Sequence, residues 1–193
     1  LTDLKLDSAT IATGLLHDTI EDTKITYKIV EKEFGKEVAD LVEGVTKISE
    51  LEDKAVEQSK AENFRKLILA TSKDIRVLLV KIADRLHNMR TLLSISDSER
   101  RKRIAKETME IYAPLSGRMG MNRIRDELED LSFQELNPDA RSLIVKKLSL
   151  NKKNRDQNFK EICKTFEQSM KEKKVDAKII GREKTPFSIW RKI

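Results

Sequence analysis

The stretch DIRVLLVKIADRLHNMRTLL, residues 74–93, constrains the fold more than any other part of this chain. Its first half is apolar nearly all round, which predicts a helix buried at the centre of a bundle. Its second half carries Asp84, Asn88 and Thr91 at i, i+4 and i+7, apart from most of its apolar residues. We therefore expect one side of this helix to pack and the other to face a polar site.

The rest of the chain also favours helices. Only 6 glycines and 3 prolines interrupt 193 residues, so few positions break a helical pattern. Apolar spacings of three and four predict helices at 8–17, 27–34, 36–45, 58–71, 98–113 and 121–136, and one or two long helices across 139–173. Residues 46–57 and the sequence PLSGRMG are interpreted as connections. The predicted fold class is all-α, a multi-helix bundle.

The pattern changes near the C-terminus. KVDAKIIGR, residues 174–182, alternates as a strand does, and Pro186 opens FSIWRKI, which can start a helix. A strand that feeds a helix is typical of the first edge of an α/β domain. The chain begins at Leu1 within an apparent helical pattern, so we interpret it as part of a longer protein.

The composition of the chain indicates which kinds of binding partner and which cellular compartment to expect. The single cysteine, Cys163, excludes an internal disulfide, which favours the cytoplasm. No apolar run approaches the roughly 18–20 residues of a membrane span, so no membrane partner is expected. The net charge of +6 favours anionic partners such as nucleotides. The basic runs ERRKR (99–103) and KKNR (152–155) could contact nucleic acid, but such runs are more often solvated helix faces.

The sequence LLHDTIEDT, residues 15–23, crowds charge into a few positions. His17 and Asp18 are adjacent, and Glu21 and Asp22 follow one helical turn later. Three carboxylates this close repel one another unless a cation or protons separate them. A bound divalent metal would do so. The alternative is a charged loop in which His17 is a hydrogen-bonded core histidine.

Asp84 extends this interpretation. A buried aspartate without a partner is costly, so it should meet a cation or several donors. The alternative is that Asp84 only pairs with Arg85 or with a lysine elsewhere. With His17 and Asp18, Asp84 would offer one nitrogen and two carboxylates, a set that suits Mn²⁺ or Mg²⁺ better than structural Zn²⁺. Such a metal lowers the pKa of a bound water for attack on phosphorus.

Four ordered stretches resemble the RelA/SpoT family. They are LLHDTIEDT (15–23), VEGVTKI (42–48), AENFRKLILATSKDIRVLLVKIADRLHNMRTL (61–92) and ETMEIYAPLSGRMG (107–120). More closely, they resemble the family's HD-type hydrolase domain. That domain removes the 3′-diphosphate of the alarmones ppGpp and pppGpp, which yields GDP or GTP and pyrophosphate. The tail GREKTPFSIWRKI (181–193) resembles the opening of the family's synthetase domain.

The resemblance implies a role for each matching residue. The implied Mn²⁺ ligands are His17, Asp18 and Asp84. The pair implied to assist the attacking water is Glu21 and Asp22. The positions implied to contact the nucleotide are Asn88 and Thr91. The basic positions implied to hold ATP phosphates in the synthetase domain are Arg182, Lys184 and Lys192.

The resemblance also divides the chain into 1–136, an N-terminally shortened hydrolase domain, 137–173, a helical linker, and 174–193, the start of a synthetase domain. Family members carry another histidine ligand and a basic loop upstream of the HD pair, and this chain begins after both. The alternative is a catalytically inactive remnant that only binds nucleotide or a companion chain that supplies the absent helices. Synthetase activity is not expected.

Overall fold

The computed structural model describes residues 1–54, 73–150, 152–177, 179, 181 and 183–193. Helices are the only regular elements in these residues, which confirms the predicted all-α bundle. The helices are α1 Ser8–Leu16, α2 Thr19–Asp22, α3 Tyr27–Phe34, α4 Lys36–Lys54, α5 Ile75–Arg90, α6 Ser98–Glu107, α7 Ala113–Arg118, α8 Asn122–Leu136, α9 Pro138–Leu150, α10 Lys152–Glu172 and α11 Pro186–Trp190. Short 3₁₀ turns lie at Thr2–Leu4 and Leu92–Ser94, and a π-helical turn at Thr108–Tyr112 joins α6 to α7.

Aspartates determine where three of the helices begin. Asp7 precedes α1, Asp74 precedes α5 and Asp97 precedes α6, and each carboxylate accepts a backbone N–H of the first turn at 2.9 Å. An aspartate in this position satisfies a donor that the helix leaves without a partner, and its charge suits the positive end of the helix. The starts of α1, α5 and α6 are therefore fixed by interactions close in sequence.

Helix α5 lies at the centre of the bundle, as predicted, and packs against α1, α4 and α8. Its buried apolar side chains are Val77, Leu78, Val80, Ile82, Leu86 and Met89. They join a core that includes Val45 and Ile48 of α4 and Leu128 of α8. Because neighbours surround α5, each polar residue along it must find a partner or face a cleft.

Helices α4 and α5 approach each other closely at Gly44. A Cβ atom at Gly44 would lie 2.8 Å from Cγ2 of Val77, closer than side chains tolerate without a shift. The absence of a side chain therefore lets the two helices come together. As a result, Ser49 on α4 reaches Lys81 on α5.

A second, smaller core holds the ends of α1 and α2. Its buried residues are Val30 of α3 and Val38, Ala39 and Val42 of α4. Leu16 and Ile20 pack against this group from either side of residues 17–18. The turn that carries the HD pair is thus anchored by apolar contacts before and after it.

Two predicted connections are wrong in part. Residues 46–54 continue α4, because the buried face that includes Val45 extends to Ile48 and no glycine or proline interrupts it. Most of PLSGRMG is also helical, since Pro114 lies in the first turn of α7, where proline is tolerated. The chain turns only after α7, at Gly120, whose φ of 78° favours glycine. The helix predicted at 58–71 lies outside the described residues.

The C-terminal segment is helical where proline opens it, but it forms no strand. Helix α11 begins at Pro186 as predicted, and Phe187 and Trp190 place their rings 5.6 and 5.7 Å from that of Phe133. Residues 174–177, 179 and 181 are irregular, so the strand predicted at 174–182 is wrong for these positions. A strand requires a partner strand for its hydrogen bonds, and the described part of the chain supplies none.

Among the described residues, no helix combines the length and the apolar character needed to cross a bilayer.

Candidate functional site

The HD pair lies in the turn between α1 and α2. His17 ends α1 and Asp18 begins α2, a helix of four residues that carries Glu21 and Asp22. The turn is closed locally, because the hydroxyl of Thr19 donates to the carbonyl oxygen of Leu16 at 2.6 Å. This short second helix begins at Asp18 and carries Glu21 and Asp22, and all three carboxylates are exposed.

The two nitrogens of His17 have different partners. Nδ1 donates to the carbonyl oxygen of Gly14 at 3.0 Å, which leaves Nε2 directed at carboxylates. Nε2 lies 3.0 Å from Oδ2 of Asp18 and 3.4 Å from Oδ1 of Asp84. The hydrogen bond with Asp84 raises the pKa of His17, and the charge of Asp18 adds to it, although burial opposes the increase.

Asp84 receives donors from several directions. Its side chain is only 11% exposed. Nζ of Lys81 lies 3.4 Å from its Oδ2, and Nδ2 of Asn88 donates to Oδ1 at 2.9 Å. Burial alone would raise the pKa of Asp84, but the hydrogen bond with His17 and the charge of Lys81 outweigh burial and lower it. Asp84 is therefore a carboxylate held ionised below the surface.

Lys81 is a site residue that the motif-based interpretation missed. Its side chain is 8% exposed, and its ammonium group donates to Oγ of Ser49 at 2.9 Å while it faces Asp84. A lysine three residues before a buried aspartate, within an otherwise apolar run, is the signal that could have identified it. Asp84 therefore pairs with a lysine, Lys81, as well as with His17. Arg85 does not contact Asp84 and pairs with another carboxylate.

Arg85 connects α5 to the π-helical turn. Its Nη1 lies 2.9 Å from Oε2 of Glu107, and its guanidinium carbon lies 4.3 Å from the centre of the Tyr112 ring. The π-helical turn at Thr108–Tyr112 inserts one extra residue into the helix and so presents Tyr112 to Arg85. These contacts fix the rotation of α5 beside Asp84.

A cleft of about 520 Å³ opens over these side chains, a volume typical of small-molecule sites. Its lining contains six of the seven residues predicted for the hydrolase site; the seventh, His17, contacts two of these six. The lining residues are Asp18, Glu21, Asp22, Ser49, Lys81, Asp84, Arg85, Asn88, Thr91, Leu92, Ser94, Ile95, Arg100 and Ile104. Segments distant in sequence therefore meet at one surface.

The three basic positions matched to a synthetase domain lie apart from this cleft. Lys184 and Lys192 are exposed and close to each other, and the hydrogen bond and charge of Lys192 lower the pKa of Lys184. Arg182 lies outside the described residues. Neither described lysine lines the cleft.

The donor atoms near His17 suit a hard cation. Nδ1 of His17 donates a hydrogen bond to a backbone carbonyl oxygen. Metal-binding histidines are commonly oriented in this way, with Nε2 left available to the metal. As placed, however, no group of three or more His, Cys, Asp or Glu side chains among the described residues could hold a metal ion. The imidazole instead pairs with both carboxylates, so a cation could enter only after the imidazole lost its proton.

The fold and the site together define a class of protein. An all-α bundle with a His–Asp pair beside a buried aspartate matches the profile described as HD domain, over residues 1–122. The chain belongs to the HD domain family.

Curated relatives extend this assignment. The chain is 49% identical to a GTP pyrophosphokinase rsh of Brucella ovis, over 100% of this chain and 26% of that protein. It is 45% identical to the bifunctional (p)ppGpp synthase/hydrolase SpoT of Escherichia coli K12 and to a guanosine-3′,5′-bis(diphosphate) 3′-pyrophosphohydrolase of Escherichia coli O157:H7, over 100% of this chain and 27% of each. The resemblance to the RelA/SpoT family is confirmed. The chain spans about a quarter of the length of these relatives.

Proposed function

We propose that this chain carries the catalytic cleft of a metal-dependent guanosine-3′,5′-bis(diphosphate) 3′-pyrophosphohydrolase. The substrates would be ppGpp and pppGpp, and the products GDP or GTP and pyrophosphate. The observation that carries the proposal is the convergence of His17, Asp18 and Asp84 beside a cleft large enough for a nucleotide. The printed names of relatives at 45% identity support the choice of substrate.

His17, Asp18 and Asp84 would hold one divalent cation, Mn²⁺ in our proposal, with Mg²⁺ as the alternative. One imidazole and two carboxylates suit these ions. When bound, such an ion would supply positive charge to the phosphate and make a nearby water more acidic. Lys81 holds the second oxygen of Asp84, so Oδ1 is the oxygen that faces His17.

Glu21 and Asp22 would move protons during hydrolysis. Both are exposed, both line the cleft, and α2 presents them one turn after the HD pair. Water adds to the phosphorus that carries O3′, the bond from this phosphorus to O3′ breaks, and pyrophosphate leaves. A carboxylate accepts the proton of the water, and O3′ gains a proton in turn.

Asn88 and Thr91 would contact the nucleoside. They follow Asp84 along one side of α5 and line the cleft beside it. Asn88 uses one amide hydrogen for Asp84, so its second amide hydrogen and its carbonyl oxygen remain for ligand. The hydroxyl of Thr91 donates to the carbonyl of His87 at 3.1 Å and can still accept.

The division of the chain remains part of the proposal. Residues 1–136 would form the hydrolase domain, 137–173 a helical linker and 174–193 the beginning of a synthetase domain, where Arg182, Lys184 and Lys192 match ATP-phosphate positions. Synthetase activity is not expected of this chain. Cytoplasmic location follows from the nucleotide substrate and the single cysteine.

The direct test is incubation of the chain with Mn²⁺ and ppGpp, followed by anion-exchange chromatography of the products. We expect GDP and pyrophosphate in equal amounts, formed faster than in a protein-free blank. No release above that blank at high protein concentration would overturn the hydrolase proposal for this chain. Nucleotide binding without turnover would favour the alternative of an inactive remnant, and recovery on addition of a companion chain would identify a split enzyme.

A further inference from the structure

Lys81 lines the cleft, is buried, and is held by partners on two helices. Its ammonium nitrogen lies 2.9 Å from Oγ of Ser49 on α4 and 3.4 Å from Oδ2 of Asp84 on α5. The close approach of α4 and α5 at Gly44 allows this bridge. Because packed helices hold the ammonium group from both sides, it stays beside Oδ2.

The two oxygens of Asp84 therefore have different surroundings. Oδ2 faces the ammonium group of Lys81, which has donors and no acceptor. Oδ1 faces Nε2 of His17 at 3.4 Å and accepts from Nδ2 of Asn88 at 2.9 Å. The imidazole can exchange its proton for a metal ion, and an amide hydrogen occupies only one lone pair of Oδ1. Oδ1 is thus the oxygen of Asp84 that is open to a cation.

The other carboxylates of the cleft are less restrained. Asp18, Glu21 and Asp22 are exposed, so their side chains can turn and offer either oxygen. The side chain of Asp84 lies below the surface, between its partners on α1 and α5. Asp84 is therefore the acidic residue of the cleft whose available oxygens are limited by the fold.

Divalent cations differ in how many oxygens they require. Mg²⁺ and Mn²⁺ accept about six ligands in octahedral geometry, whereas the larger Ca²⁺ takes about six to eight and commonly uses both oxygens of a carboxylate. We propose, on the basis of the proposed function and its metal site, that Lys81 determines the specificity of that site for the ion. By holding Oδ2 it limits Asp84 to one oxygen, which favours Mn²⁺ or Mg²⁺ over Ca²⁺.

A purely structural ion pair between Lys81 and Asp84 makes a different prediction. Loss of the lysine charge would then alter the affinity for Mn²⁺ and Ca²⁺ by the same factor, since both ions carry two positive charges. The ratio of the two affinities therefore separates the number of available oxygens from the effects of charge and stability.

The experiment measures ion binding and does not depend on hydrolysis. Free Mn²⁺ gives an electron paramagnetic resonance signal that is lost on binding, so a titration with Mn²⁺ gives its affinity and displacement by Ca²⁺ gives the ratio. The variants are Lys81→Met and, as a second uncharged replacement that retains polar atoms, Lys81→Gln. The matched control is Lys47→Met, which removes an exposed lysine that pairs with Glu43 at 2.7 Å and does not line the cleft.

We expect the unaltered chain to bind Mn²⁺ at least about tenfold more tightly than Ca²⁺. Lys81→Met should reduce this preference about tenfold, the usual size of an effect on a metal site from a residue that holds one of its ligands. Lys81→Gln should change the ratio in the same direction, because its amide ends one bond short of the lysine nitrogen. Lys47→Met should leave the ratio unchanged. Circular dichroism checks that each variant is folded.

Three results would overturn the proposed role of Lys81: equal affinity of the unaltered chain for both ions, an unchanged ratio in a folded Lys81 variant, or the same reduction in Lys47→Met. The first of these requires no variant. Absence of Mn²⁺ binding to the unaltered chain would contradict the proposed metal site as well. Absence of pyrophosphate release, together with a reduced preference in Lys81→Met, would instead contradict the proposed hydrolysis alone.

Discussion

Helix α5 meets carboxylates at its N-terminal end and again in its middle, and the two groups are built differently. At the N-terminal end lies the Arg76 cluster, which consists of Arg76, Asp7, Glu37 and Asp74. The guanidinium lies 2.7 Å from both Glu37 and Asp74 and 3.3 Å from Asp7. A permanently charged group thus satisfies all three carboxylates, and two of them also cap helices.

In the middle of α5 lies the Asp84 cluster, which consists of His17, Asp18, Lys81 and Asp84. Its central carboxylate is 11% exposed, whereas Glu37 in the Arg76 cluster is 63% exposed. Asp84 has two cationic partners, Lys81 and the imidazole of His17, and the imidazole is charged only when it is protonated.

The difference between the clusters indicates which of them can perform chemistry. A guanidinium cannot lose its proton in a protein, so the Arg76 cluster has a single arrangement. An imidazole can exchange its proton for a metal ion, so the Asp84 cluster can adopt two arrangements, one with the proton and one with the metal. Crowded carboxylates therefore predict a reactive site only when the group that neutralises them can be exchanged.

The largest difference in activity between the two clusters is expected when the acidic residues beside the HD pair are substituted. We expect Glu21→Gln and Asp22→Asn each to lower kcat for pyrophosphate release about a hundredfold, the size of a lost general base. Glu37→Gln in the Arg76 cluster should change kcat less than twofold. The measurement is the initial rate with saturating ppGpp. Equal losses in all three variants would remove the distinction between the clusters.

Metal binding should stabilise only through the Asp84 cluster. At about 100 times its dissociation constant, Mn²⁺ should add about 2.7 kcal/mol to the free energy of unfolding. That increase corresponds to a rise in Tm of about 5 °C or more. Asp84→Asn should abolish the rise and Asp74→Asn should retain it. A thermal shift that survives in Asp84→Asn would place the metal elsewhere.

The loss of an ion pair should cost more unfolding free energy when the pair is buried near the cleft than when it is exposed in the Arg76 cluster. Glu107→Ala removes the carboxylate paired with Arg85, which is 9% exposed, and should cost about 2 kcal/mol of unfolding free energy. Glu37→Ala removes an exposed carboxylate and should cost less than about 0.5 kcal/mol. Urea unfolding followed by circular dichroism measures both values. Similar costs would show that burial does not strengthen the first pair.

The smallest expected effect is the acid sensitivity of the Arg76 cluster. The side-chain hydrogen bond from Arg76 lowers the pKa of Asp74 below its ordinary 3.8. A depressed pKa contributes stability above 3.8, and this contribution is lost as the pH falls below that value. Asp74→Asn should therefore lose less stability than the unaltered chain between pH 5 and 3, by about 0.5 kcal/mol. Parallel pH curves would contradict the assignment.

The elements of the site that lie close in sequence could be predicted. The HD pair, the acidic pair after it and Asp84 were singled out from spacing and motif. In the structure Asp18, Glu21, Asp22 and Asp84 line one cleft, and His17 contacts Asp18 and Asp84. The buried centre of α5 followed from its apolar run, and the helix at Pro186 from proline at its start. The pairing of Asp84 with the distant HD pair came from the family resemblance, whereas the other predictions depend on residues within one or two helical turns.

Contacts between distant helices could not be predicted in this way. Lys81 meets Ser49 across 32 residues, and Arg85 meets Glu107 across 22, so the packing of helices decides both partners. The length of α4 was missed because its polar residues resemble a connection, while the buried side continues to Ile48. The alternation at 174–182 resembled a strand, but a strand forms only where a partner is available.

The most direct test of the central claim compares pyrophosphate release from ppGpp by Asp84→Asn and Asp74→Asn, each with Mn²⁺ and beside the unaltered chain. Each variant removes one charge, Asp74→Asn at the N-terminal end of α5 and Asp84→Asn in its middle, so one carboxylate is altered in each cluster. We expect at least about a hundredfold loss for Asp84→Asn and less than a twofold change for Asp74→Asn. Release by Asp84→Asn at the rate of the unaltered chain would contradict the proposed role of Asp84.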